Sequence, residues 1–192
     1  MSEMNEFARA IDDNRDRGNS IISETVEEWF ARKWDIPKGY AAEFFKIQAS
    51  TYFLLTWPIF EHDVCAGFMD TKKILGIAKK YQHCYDDMQI DGILKKFYDR
   101  YGNRHKPYSN WASLCHDDYG KAKQVAERVL NSDWDDTGAV DKLQFGLYVI
   151  YRFRNNIFHG NKSVLEWLNN QPQIEDSVLV LLKLTEFQNK AV

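Results

Sequence analysis

Apolar residues recur at intervals of three and four along nearly every stretch between clusters of glycine, proline, asparagine and aspartate, and no convincing run alternates with period two. The first period belongs to one face of an α-helix and the second to a half-buried strand, so the pattern predicts an all-α chain. Residues 20–34 set Ile21, Val26, Trp29 and Phe30 toward a core, and Pro37-Lys38-Gly39 then punctuates the chain. In residues 40–57 the apolar positions Phe44, Phe45, Ile47, Tyr52, Phe53, Leu54 and Leu55 cover more than half the circumference. That coverage predicts a central helix touched on several sides. Pro58 either occupies the first turn of a further helix running toward residue 80 or marks a kink between the two.

Farther along, residues 86–101 carry Ile90, Ile93, Leu94, Phe97 and Tyr98 at helical spacing, with Gly102 as a C-terminal stop. Residues 117–131 bury Ala122, Val125, Ala126, Val129 and Leu130, and a polar loop over 132–138 separates them from the next helix. That helix, residues 139–159, has an apolar face made by Val140, Leu143, Leu147, Ile150, Tyr151 and Ile157. Gly160 stands where a helix commonly turns left-handed, and Ser163 with Glu166 fits a capping box that opens a further helix. Ile174, Val178, Leu181, Leu182 and Phe187 supply the last packing stripe. Residues 1–18 are polar and charge-dense and read as a frayed helix or an arm. Without an internal repeat, a low-complexity tract or a flexible linker, residues 1–192 form a single expected domain.

Composition narrows the partners. A chain of 192 residues with 44% hydrophobic and 15% aromatic content can bury one substantial core. Its net charge of −3 lacks the global basic signature of many nucleic-acid binders, so any such site must be local. No apolar run approaches the roughly 18 residues of a membrane span, and the first ten residues lack the apolar region of a signal peptide. No membrane partner is expected, and the expected location is cytoplasmic. Cys65, Cys84 and Cys115 are irregularly spaced and odd in number, which suits a reducing compartment and a packing role. His62-x2-Cys65, His83-Cys84 and Cys115-His116 pair soft ligands, but only the first has ligand-like spacing, and no metal site is assigned.

The last two turns of the helix over 139–159 carry the candidate chemistry. Arg152, Asn155, Asn156 and His159 fall at i, i+3, i+4 and i+7, in one stripe. Arg154 lies about 140° around the axis from His159, because five steps of about 100° make about 500°. Either its side chain reaches around, or the last turn departs from ideal geometry, or the two residues work across a subunit boundary. The run Arg154-Asn155-Asn156-Ile157-Phe158-His159 resembles the R-x4-6-H motif of HEPN domains, in which a polar residue typically follows the arginine, as Asn155 does here. Arg152 also satisfies the spacing, but Phe153 would then take the polar position, so Arg154 is the better match.

The resemblance implies an antiparallel helical bundle, here with additional N-terminal helices, that dimerises so that two motifs face a shared cleft. It implies cleavage of single-stranded RNA or tRNA without metal or other cofactor. By this likeness His159 is the general acid/base for attack of the ribose 2′-OH on the adjacent phosphate, a role suited to a group that titrates near neutrality. Arg154 orients the scissile phosphate and stabilises its added negative charge, and Asn155 holds the substrate or the neighbouring ring. Arg152 and Asn156 are substrate-binding candidates. The loop from Gly102 to Trp111 adds Arg104 and Lys106 beside Tyr108 and Trp111, which is either a combination that holds phosphates and stacks unpaired bases or a solvated turn whose aromatics anchor it to the core. Such proteins occur in toxin–antitoxin and phage-defence systems, so a protein antitoxin or regulator is a further expected partner. The rivals are a non-catalytic dimeric binding module and a structural adaptor in which His159 caps its helix through the dipole.

Overall fold

The computed structural model describes residues 48–102, 110–115, 120–158 and 169–191, with scattered positions between 26 and 39. Contacts gather the chain into two units, Met1–Gln48 and Ala49–Val192. In the first, Val26 and Trp29 are helical but 40% and 53% exposed, so neither faces a core as its spacing predicts. From Gln48 onward the elements are α1 (Gln48–Asp63), α2 (Ile74–Tyr81), a 3-10 turn (Gln82–Cys84), α3 (Tyr85–Met88), α4 (Asp91–Tyr101), α5 (Asn110–Cys115), α6 (Lys121–Asn131), α7 (Ala139–Phe158) and α8 (Gln171–Glu186). The described residues are thus all-α, with no strand among them, as the periodicity predicts.

Helix α7 organises the bundle. It packs against α2, α4, α5 and α6, and every position from 143 to 150 is buried. Its expected apolar stripe is therefore only part of its contact surface: Phe145, Tyr148 and Val149 are buried with Leu143, Leu147 and Ile150. Gly146 permits the close approach of α4, because a Cβ there would lie 2.4 Å from Leu94 Cδ2. Trp111 of α5 fills the space between α4 and α7, its ring 5.8 Å from those of Tyr101 and Tyr148. Such edge and tilted contacts add to area burial in an aromatic core.

Helix α1 contrasts with α7 and corrects the expectation of a helix touched on several sides. Phe53, Trp57 and Phe60, spaced by four and three, are buried and stack in a row. Tyr52, Leu54 and Leu55 are exposed instead. Pro58 neither starts nor separates helices but lies inside α1. The ordering of one buried aromatic face offsets the bond its missing N–H removes. After Asp63 the chain does not continue as helix toward residue 80; it loops to α2. Lys73 Nζ fastens the loop by donating to the Cys65 and Phe68 carbonyls at 2.9 and 2.7 Å. The Asp70 carboxylate accepts from the Lys72 and Lys73 amides at the start of α2.

The expected helix over 86–101 is split. Gln89 adopts φ 53°, closing α3, and α4 restarts at Asp91. Asp91 supplies the reason for this geometry. Its carboxylate accepts from Tyr85 Oη at 2.7 Å, Lys142 Nζ at 2.9 Å and Trp134 Nε1 at 3.2 Å, tying α3, α4, α7 and the loop before α7 to one group. Lys142 Nζ also stands 4.6 Å from the Trp134 ring centroid, a cation–π contact. Helix α8 begins with Pro172 in its first turn and buries Ile174, Val178 and Leu181, but Leu182 points outward, 48% exposed, against its assignment to the packing stripe. Lys96–Asp176 joins α8 to α4 at 2.7 Å. Among the described residues no helix is long and apolar enough to cross a membrane.

Candidate functional site

Helix α7 runs unbroken to Phe158, so His159 follows its last described residue. The side chain of His159, like those of Arg104 and Lys106, lies outside the described residues. What the structure defines is the arrangement of the four polar residues that precede it.

Arg152 and Asn156 are drawn together by α5. Arg152 Nε donates to the Leu114 carbonyl at 3.2 Å, and its Nη2 donates to the Cys115 carbonyl at 2.8 Å. Asn156 Nδ2 donates to the same Leu114 carbonyl at 3.0 Å. A six-residue helix leaves its last carbonyls without intrahelical partners, and these two side chains satisfy them. Asn156 is fully buried, whereas Arg152 and Asn155 of the same stripe are partly buried. Both substrate-binding candidates on α7 thus have structural partners on α5.

Arg154 lies on a different side of the helix. Its guanidinium carbon stands 5.7 Å from the Trp57 ring centroid, and Nη1 donates to Asn155 Oδ1 at 3.3 Å. A planar cation against an indole face is held by the ring quadrupole. Arg154 and Asn155 are both partly buried, which restricts them to a small set of positions beside the end of α7. Of the residues expected to act together, the structure thus joins Arg154 with Asn155, and Arg152 with Asn156.

Of the two readings of the loop aromatics, Trp111 follows the core-anchoring one: it lies in α5 and is buried, with Nε1 donating to Glu127 Oε1 at 3.3 Å. Its aromatic surface is spent on the core. The three cysteines are buried and free. Burial pushes the Cys65 thiol up to about 12 and that of Cys115 to about 11, so neither supplies an appreciable thiolate near neutrality.

A cavity of about 170 Å³ that the sequence does not announce opens beside α7. Its lining includes Arg100 and Tyr101 from α4, Asn110 and Ser113 from α5, Phe153 from α7, and Asn170 before α8. Arg100 Nη2 donates to Asn170 Oδ1 at 2.9 Å. Burial raises the Tyr101 hydroxyl above its ordinary range, with the Arg100 guanidinium pulling the other way. The sequence signal for this cavity is polar: an arginine near the end of α4 and asparagines at the first residue of α5 and just before α8. The chain matches no family model, no curated protein and no solved structure.

Proposed function

We propose that this protein is a metal-independent endoribonuclease of the HEPN type, in which His159 is the general acid/base and Arg154, with Asn155, binds the scissile phosphate. The observation that carries the reading is the motif from Arg154 to His159 at the end of the bundle's central helix. Helix α7 extends through Phe158, and the motif's arginine is partly buried beside an aromatic ring and bonded to the polar residue that follows it. A charged fork so restrained loses less freedom on meeting a phosphate than a solvated one. The imidazole takes the 2′-OH proton or delivers one to the leaving 5′ oxygen, and the products carry 2′,3′-cyclic phosphate ends. The substrate is single-stranded RNA or tRNA, the active form is a two-fold dimer, and the biological setting is a toxin or phage-defence system with a protein antitoxin or regulator.

One observation favours the second reading, a non-catalytic dimeric binding module: Arg152 and Asn156 are engaged with the α5 carbonyls, as residues kept for folding would be. Incubation of wild type and His159→Ala with tRNA and with unstructured RNA, EDTA present throughout, separates the two. Cleavage by wild type alone, with cyclic-phosphate ends, is the expected result. Equal cleavage by both proteins removes His159 from the mechanism, and a protein that retains its helical circular dichroism but cuts neither RNA is the binding module.

A further inference from the structure

We infer that the cavity between α4, α5 and α7 is a subsite for one unstacked purine base of the bound RNA. This deepens the ribonuclease reading and rests on it. The cavity's volume of about 170 Å³ is close to that of a cavity of about 150 Å³ that holds one benzene ring, a size suited to a single flat ring.

The lining defines the chemistry. Tyr101 and Phe153, whose rings are almost wholly covered by the core, contribute the apolar edge of the lining. Around them stand three asparagines, Asn110, Asn169 and Asn170, with Ser113 and Arg100, and no carboxylate among the described lining residues. Arg100 Nε is buried without an acceptor among the described residues. Arginine forks pair with O6 and N7 of guanine, and asparagine amides pair with N6 and N7 of adenine, so both residue types read the same edge of a purine. A free phosphate suits the site less well, because Arg100 is the one cation among the described lining residues.

Position links the cavity to the motif. Phe153 directly precedes Arg154, and lies about 7.5 Å along the axis from Phe158 at about 1.5 Å per residue. The chain passes from Tyr101 and Gly102 into the segment bearing Arg104 and Lys106 and returns at Asn110; it passes from Phe158 into the segment bearing His159 and returns at Asn169. Of the residues that bound these segments, Tyr101, Asn110 and Asn169 line the cavity. A base seated in the cavity and a phosphate at the end of α7 belong to the same or to neighbouring nucleotides.

The test is equilibrium binding of AMP, GMP, CMP, UMP and ribose 5-phosphate to the full chain, followed by two-dimensional NMR, with cleavage measured separately. A purine nucleotide is expected to bind at least about tenfold more tightly than ribose 5-phosphate or either pyrimidine nucleotide. Ser113→Trp, at an exposed position of the lining, closes the cavity and abolishes that preference with an unchanged melting curve. Arg100→Lys keeps the charge, loses the fork and weakens purine binding. Equal binding of ribose 5-phosphate, or undiminished purine binding by Ser113→Trp, overturns the subsite. Cleavage that depends on His159 without purine preference refutes the subsite alone, whereas purine binding without cleavage refutes the nuclease and retains the cavity.

Discussion

The two arginines one residue apart in the motif are separated by what they touch. Arg152 closes the end of α5 through two carbonyls, while Arg154 stands against Trp57 beside Asn155. Replacing Arg152 by Ala leaves the Leu114 and Cys115 carbonyls short of charged donors, at about 2–4 kcal/mol for the pair of bonds. In a protein of this size that lowers the melting temperature by roughly 5–10 °C. Arg154→Ala, by contrast, is expected to melt much closer to wild type but to lose RNA cleavage by at least about a hundredfold, the scale of one phosphate-stabilising donor. Thermal melts and single-turnover cleavage on the same two variants check this; a stable, inactive Arg152→Ala beside an active Arg154→Ala would exchange the roles. The proposal for Arg154 rests on the asparagine that follows it in the sequence. The structural duty of Arg152 was not legible there, because its partners are backbone carbonyls nearly forty residues earlier in the chain.

Among the elements, α7 was the most legible, since a long helix with bulky residues at every third and fourth place can hardly be anything else. The sequence understated it, however: periodicity identifies a preferred face but cannot show that neighbours close around the others, as they do from residue 143 to residue 150. In α1 the error had the opposite sign, because a helix rich in Tyr, Leu and Phe reads as buried all round, and only packing reveals that Tyr52, Leu54 and Leu55 stand outside. The break at Gln89 was hidden because the apolar spacing runs on through it, and the break is held by Asp91, a residue that looks like an ordinary helix-start acid. Asp91 also gives the region a pH dependence. Its burial raises the carboxyl's affinity for protons, but the hydrogen bonds from Tyr85, Lys142 and Trp134 outweigh that effect and hold it below the ordinary carboxylate range. A carboxyl depressed in the folded state contributes stability that is present above its unfolded value of about 3.9 and is lost as pH falls through the lower folded value. Urea unfolding at pH 7, 5 and 3 should therefore show wild type more stable than Asp91→Asn at the two higher values, with the gap shrinking at the lowest. A gap that stays constant down to pH 3 would mean that the hub does not depend on the charge of Asp91.

For the whole molecule, the proposed ribonuclease has to bring together Arg154 and His159, which stand about 140° apart on an ideal helix. Arg154 is restrained toward Trp57 rather than extended around the axis, which weakens the idea that it reaches across its own helix to the histidine. A two-fold dimer offers the other solution, because an isologous interface sets each residue of one protomer opposite the counterpart set of its partner. Arg154 of one copy and His159 of the other then form each site. Random exchange between Arg154→Ala and His159→Ala protomers makes this measurable. Half of the dimers become mixed, and in each mixed dimer one site draws an intact arginine from the His159→Ala chain and an intact histidine from the Arg154→Ala chain, while the other site has neither. Activity should return to about a quarter of the wild-type value, from half the sites in half the dimers of an isologous pair. Sites complete within one chain predict no recovery, since every site would still lack one partner. Each parent variant, unfolded and refolded alone, supplies the baseline, and sedimentation of the mixture confirms that exchange has produced dimers. Recovery would place the catalytic cleft on the two-fold axis; its absence with dimers present would require the last turn of α7 to bend His159 back toward its own Arg154.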